Sequence, residues 1–221
     1  MLHPVYECHR SEYDLRITGR MDDPAWQLAQ MVELTEPVQG LLPRYHTTAR
    51  LLYTAECLYI GFSCEDAYVW GTYTERDAPI YDEECVEAFL CPSGRMRQYY
   101  EINVSPRNTV FDAFILNRTP LAGPRDMRSF VDYTCDGLRT AVHVDGALGS
   151  PGARGWSVEY AVPFRALVGS DHLIPEPGDK WLMNLCRVDT LENRKQEFYA
   201  WATMGKVDFH LPWQFGTLRF C

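Results

Sequence analysis

The residues of this chain best placed to do chemistry are carboxylates set among apolar neighbours. The densest group lies in Tyr81-Asp82-Glu83-Glu84-Cys85-Val86-Glu87-Ala88-Phe89-Leu90-Cys91-Pro92. After the acidic run the pattern becomes that of a strand, in which successive side chains point to opposite sides. Val86, Ala88 and Leu90 share one face; Cys85, Glu87, Phe89 and Cys91 share the other. A carboxylate at Glu87 is costly there unless it is solvated, paired or bonded to a ligand. The segment therefore reads as the rim of a binding site, with an ordinary half-exposed strand as the alternative. In 99–104, Glu101 and Asn103 share a face with Tyr99, while Tyr100, Ile102 and Val104 take the apolar side. This strand follows the first across the turn 92–97, so Glu87, Glu101 and Asn103 are expected on paired strands.

Two kinds of chemistry suit such groups. Neighbouring strands lie about 4.8 Å apart, close enough for Glu87 with Glu101 or Asp189 to act as the carboxylate pair of a glycosidase. Binding without catalysis needs flat aromatic faces against C–H patches and planar polar groups for hydroxyls. The loop 66–82 supplies Tyr68, Trp70, Tyr73 and Tyr81 among charges; the alternative for Trp70 and Tyr73 is cover for a sheet edge. No nucleophile elbow, metal triad or phosphate loop is present, so an enzyme is not expected. Haem ligation would call on Met96 and His143. Glu159, between Ser157 and Ala161 in 156–162, reads as part of a solvated outer face.

Short alternating or β-branched runs must position these groups. They recur at 14–18, 47–54, 57–64, 84–91, 98–104, 109–116, 138–144, 156–162, 180–189, 197–201 and 216–220, mostly bounded by turn residues such as Pro92-Ser93-Gly94 and Pro177-Gly178-Asp179. Only 23–31 and 163–168 read as helical, the first with Asp23 as cap and Pro24 at its first position. About ten strands and one or two short helices predict an all-β fold, a sandwich of two antiparallel sheets. With 221 residues, no repeat and no linker, a single domain spanning 1–221 is expected.

Lys and Arg number 21 against 30 Asp and Glu, a net charge of −9. With no basic cluster, neither nucleic acid nor membrane is an expected partner. The eight cysteines, at 8, 57, 64, 85, 91, 135, 186 and 221, have no zinc-ligand spacing and mostly sit in apolar runs. They read as free, buried thiols. The opening residues have no signal-peptide pattern, so a cytoplasmic protein is expected, with a mature secreted form as the alternative. Asp22-Asp23 and Asp82-Glu83-Glu84 supply acids for a hard cation, but without the loop spacing of a recognisable calcium site; calcium is possible and no metal is assigned.

Several segments resemble carbohydrate-binding module family 9. Ile17-Thr18-Gly19-Arg20-Met21-Asp22-Asp23-Pro24-Ala25-Trp26 is similar to its opening, and 49–63, with Leu58-Tyr59-Ile60, to its first hairpin. Residues 82–92 resemble its acidic-Val-Glu-x-Phe-x-x-Pro signature, and Gly155-Trp156-Ser157-Val158-Glu159-Tyr160-Ala161-Val162-Pro163-Phe164 its Trp-x-x-Glu-x-x-Ile-Pro strand. Asn184, Arg187, Asp189, Trp201 and Phe215-Gly216-Thr217-Leu218 resemble its closing strands. The resemblance implies a β-sandwich that grips a mono- or oligosaccharide between two aromatic rings, with structural calcium in some members; a related sandwich binds haem. By position it places the clamp at Tyr81 and Phe209, where the family often has Trp. It implies a polar floor of Glu101 and Asn103, with Asn184 or Asp189 on another strand; the floor is expected to include either Arg187 or Asp189. The family often has a basic residue where Glu101 stands.

Overall fold

The computed structural model describes residues 3–118 and 126–221. The described residues form thirteen strands: β1 (Val5–Arg10), β2 (Met31–Glu33), β3 (Thr47–Tyr53), β4 (Cys57–Glu65), β5 (Cys85–Cys91), β6 (Gln98–Val104), β7 (Val110–Asn117), β8 (Met127–Phe130), β9 (Arg139–Asp145), β10 (Gly155–Pro163), β11 (Lys180–Thr190), β12 (Gln196–Ala200) and β13 (Gly216–Phe220). The first sheet runs β8-β7-β6-β5-β11-β13-β1, and β12 continues the edge of β11 beyond β13. The second runs β1-β3-β4-β10-β9, with β2 on the free part of β3. β1 belongs to both: Val5–Cys8 pair with β13, and His9 and Arg10 pair with β3. Both pairings are parallel, whereas every other ladder is antiparallel. The fold is the β-sandwich that the strand pattern predicts, with more strands than the ten expected.

Between the sheets lies the main core. Val86, Ala88 and Leu90 of β5 and Tyr100, Ile102 and Val104 of β6 meet Leu58, Ile60 and Phe62 of β4 and Val158, Tyr160 and Val162 of β10. Alternation explains the choice of face in each strand. It does not leave the other faces wet. Residues around Leu15 and Trp26 pack on the outside of the second sheet over Leu52, Tyr59 and Ala161. Met204, Phe209, Leu211 and Phe215 pack on the outside of the first, over Phe89, Tyr99, Cys186 and Val188. Close approach of the N-terminal covering segment requires glycine beneath it: a Cβ at Gly61 would run into Met21 and Trp26.

Segment 14–18, expected as a strand, is irregular. Its amides bond to carboxylates instead of a neighbouring strand: Arg16 N–H to Asp23, and Thr18 N–H to Glu159. The expected helices are single 3-10 turns at Pro24–Leu28 and Phe164–Ala166, with Asp23 accepting from the Ala25 N–H as the predicted cap. Glu159 is a correction as well. It is buried rather than solvated, because the N-terminal segment folds over it.

Candidate functional site

A cavity of about 460 Å³ opens on the outer face of the first sheet. Its floor comes from β5 and β6, whose register sets Glu87 opposite Asn103 and Phe89 opposite Glu101. Glu87 and Glu101 both line it although each is only 3–5% exposed. Its walls carry four aromatic rings: Tyr81 from the loop before β5, Phe111 on β7, Phe198 on β12 and Phe209 from the C-terminal covering segment. Tyr81 is 41% exposed and stands edge-on to Phe111 at 5.2 Å between centroids. Phe209 is 9% exposed and held edge-on by Phe89 at 6.4 Å and Phe198 at 6.1 Å. Two residues 128 positions apart in sequence (209 − 81) thus face one hollow.

The polar groups in the floor differ in how well they are partnered. Asn103 donates to Glu101 Oε1 at 2.9 Å, while its own carbonyl oxygen has no partner. His210 Nε2 lies 3.9 Å from Glu101 Oε2, and its Nδ1 is 3.0 Å from the Tyr99 hydroxyl. Asp208 accepts from the His210 N–H at 3.0 Å, which fixes the turn that presents the ring. Glu87 is bonded only by the Cys85 thiol, at 3.4 Å, among the described residues. Burial, and then the nearby charge of Glu101, push the Glu87 carboxyl well above the usual range.

Arg187 and Asp189, expected in the floor, are not there. β11 pairs Cys186 with Glu87 and Arg187 with Val86, so Cys186 and Val188 face the cavity side while Arg187 and Asp189 point between the sheets. There the Arg187 guanidinium bonds Thr47 Oγ1 at 3.0 Å, the Glu65 carbonyl at 2.9 Å and Asp66 at 2.8 Å. Glu84 and Asp189 lie 3.4 and 3.5 Å away. Asn184 is on the cavity side of β11, but its amide is spent on the backbone of Ala202. Trp70 lies away from the cavity, donating to the Thr190 carbonyl at 2.8 Å with the Arg194 guanidinium 3.8 Å over its ring. It braces the loop against the end of β11.

Oxygens of Asp66, Glu84 and Asp189 lie within 4.8 Å of one another, the spacing of a cation site. The residues present do not fit calcium, because the Arg187 guanidinium already occupies the centre and supplies the positive charge. Glu83 is also engaged, accepting from the Thr72 and Tyr73 amides, and Asp23 from those of Arg16 and Ala25. Met96 and His143 lie on different sheets, in the β5–β6 turn and on β9, and the His143 ring takes a contact from Arg20 at 3.0 Å. They form no haem ligand pair. A larger hollow of about 630 Å³ lies between the turns at Arg10–Asp14 and Thr54–Glu56. Its central carboxylate, Asp14, is consumed by Thr54 and Tyr59, so size alone does not select the site.

His210, Asp208, Phe111 and Phe198 were not singled out from the sequence. The signal was adjacency for the first two, which flank Phe209, and strand parity for Phe111, two residues from Ala113 on the face that pairs beside Glu101.

The fold and this lining define a β-sandwich with an aromatic, acidic cleft on one outer face. Residues 26–220 match the carbohydrate-binding family 9 profile, and the chain belongs to that family. A curated relative, an extracellular protein of Arthroderma benhamiae, is 28% identical over 204 residues, covering 88% of this chain and 86% of the relative. Among solved structures, a protein from Bacteroides uniformis superposes with TM-score 0.75 at 16% identity, covering 99% of this chain and all of that one. A family 9 module from Caldicellulosiruptor kristjanssonii in complex with cellotriose gives 0.67 at 11% identity, covering 98% and 93%. The module from that organism in complex with glucose gives 0.65 at 13%, covering 97% and 95%.

Proposed function

We propose that this chain is a non-catalytic sugar-binding module, holding a mono- or oligosaccharide in the cleft between Tyr81 and Phe209. One observation carries the reading: the two positions that the family resemblance assigns to the clamp, far apart in sequence, line one cavity with buried carboxylates in its floor. Rings on the walls supply faces for the C–H patches of a sugar, and Glu87, Glu101 and the Asn103–Glu101 pair supply acceptors for its hydroxyls. The cellotriose and glucose complexes of the Caldicellulosiruptor kristjanssonii modules support this ligand class.

Calorimetry of the purified protein with glucose and cello-oligosaccharides tests it. Saturable binding that is weakened in Tyr81→Ala is the expected result; absence of binding across a glycan array would overturn the proposal. The hydrolase alternative rests on Glu87 and Glu101 lining the same cavity. Sustained sugar release, abolished by Glu87→Gln or Glu101→Gln, would put it first.

A further inference from the structure

The charge and hydrogen-bonding character of the cleft is one-sided. Among the described residues no Lys or Arg lines it, whereas Glu87, Glu101 and Asp208 do. The donors facing it among the described residues are few: the hydroxyls of Tyr81 and Ser129, the carboxyl of Glu87 while it keeps its proton, and the ring of His210, which is already shared with Tyr99 and Glu101. A neutral sugar presents hydroxyls that both donate and accept, and half of that capacity would go unmet here. A protonated amine presents three donors and no acceptor. It is also drawn to the faces of aromatic rings, of which four line these walls.

We propose that the cleft selects a sugar carrying a free, protonated amine, seated between the aromatic walls with its ammonium on Glu101 and Glu87. This rests on the sugar-binding reading and names the substrate class for that same site. Position 101 is where the selection is made, since an acid stands there among aromatic rings. The upward push that burial gives the Glu87 carboxyl offers the selection a second signature. Facing Glu87 are Cys85 on its own strand, Glu101 and Tyr99 on β6, Cys186 on β11, Tyr81 in the preceding loop and Asp208 and His210 in the covering segment. Apart from His210, none of these can bring positive charge to it. An arriving ammonium does, and it favours the charged form of Glu87, so binding should be accompanied by release of its proton to solvent.

Three β-1,4-linked disaccharides that differ only in the substituent at carbon 2 decide the matter: diglucosamine with its amines protonated, diacetylchitobiose and cellobiose, titrated calorimetrically into the intact protein. The expected result is binding of diglucosamine tighter than either neutral sugar by about tenfold or more, the ratio that one charge-assisted contact supplies. Net proton release should appear when the titration is repeated in buffers of different ionisation enthalpy. Glu101→Gln and Glu87→Gln should shrink the ratio, and Glu87→Gln should abolish the proton release. Glu192→Gln, an exposed site away from the cleft, should leave the ratio unchanged, separating the cleft from general attraction to a chain of charge −9. Equal binding of the three disaccharides would overturn the amine selectivity and leave the sugar reading standing. Binding of a sugar-free amine such as tetramethylammonium, with none of the disaccharides bound, would overturn both. A preference that survives Glu101→Gln and Glu87→Gln intact would overturn the assignment to this cleft.

Discussion

Glu159 on β10 and Glu87 on β5 occupy equivalent places: each sits mid-strand, on the outer face of its sheet, under a covering segment, and almost without exposure. Their surroundings are opposite. Glu159 accepts from the Trp26 indole N–H at 2.7 Å, the Thr18 amide at 2.7 Å and the Gly19 amide at 2.6 Å. Its oxygens are spent on pinning the N-terminal segment. Among the described residues Glu87 accepts only the weak thiol donor of Cys85; it borders a second carboxyl and opens on a cavity. A buried acid that is fully partnered is architecture, whereas one left underpartnered beside a hollow is an invitation to a ligand.

The largest effect expected from breaking this contrast comes from neither residue but from Arg187, which is expected in the cleft from the sequence and which the register turns inward. Arg187→Ala strands Asp66, Glu84 and Asp189 between the sheets and should cost about 3–5 kcal/mol in chemical denaturation. Were Arg187 a cleft residue, the variant would bind sugar poorly and melt normally.

Glu159→Ala comes next. It leaves two amides and an indole N–H without their acceptor, and a cost of about 3 kcal/mol or more follows from unsatisfied buried donors. The N-terminal segment should gain amide hydrogen exchange and protease sensitivity before the rest of the chain does. Sugar binding by the folded fraction should be unaffected, because the cleft lies on the other sheet.

Glu87→Gln should behave in the reverse manner, weakening binding while leaving the fold intact, and pH makes the difference measurable. The folded-state carboxyl is raised above its unfolded value of about 4.3. Below that value both states are protonated and wild type and variant should run parallel. As pH rises above it, only the folded state keeps the proton, so the wild type loses stability relative to Glu87→Gln until pH passes the folded value. Denaturation midpoints across pH 4 to 8, on the order of four units above the unfolded carboxylate range, check this; a flat difference between the two proteins would mean that Glu87 is not desolvated.

Much of this arrangement was legible beforehand, for reasons visible in particular residues. The expected runs bound β6 and β13 correctly and β3, β4, β5, β7, β9, β10, β11 and β12 to within a residue, because residues such as Val86, Ala88 and Leu90 or Tyr100, Ile102 and Val104 declare a period of two that turn residues then cut. β1 and β2 escaped notice: Tyr6 and Cys8 are its only buried residues in β1, and β2 is three residues long. Glu159 was read as solvated because alternation reports which face a side chain takes, not what later covers that face. The same gap hid His210 and Asp208, whose position depends on a C-terminal segment that crosses the sheet without regular structure. The floor error had a different origin. Pairing register follows from period two, and Arg187 cannot share a face with Glu87 once Cys186 stands opposite it.

The smallest effect on the fold, and the sharpest test of the clamp, is expected at Tyr81. At 41% exposure its ring contributes little to the core, touching Phe111 edge-on, whereas Phe209 is anchored among Phe89 and Phe198. Tyr81→Ala should therefore melt within about 1 kcal/mol of the wild type and yet lose about 0.5–1.5 kcal/mol of binding beyond the area removed. Phe209→Ala should lose both, since truncating a buried aromatic costs about 3–5 kcal/mol and withdraws the facing wall. The pair is read by comparing calorimetric affinity with thermal stability for each variant. If Tyr81→Ala binds sugar as the wild type does while Phe209→Ala fails only in proportion to its unfolded fraction, the rings are packing for the covering segment, and the cleft grips its ligand by the buried carboxylates alone.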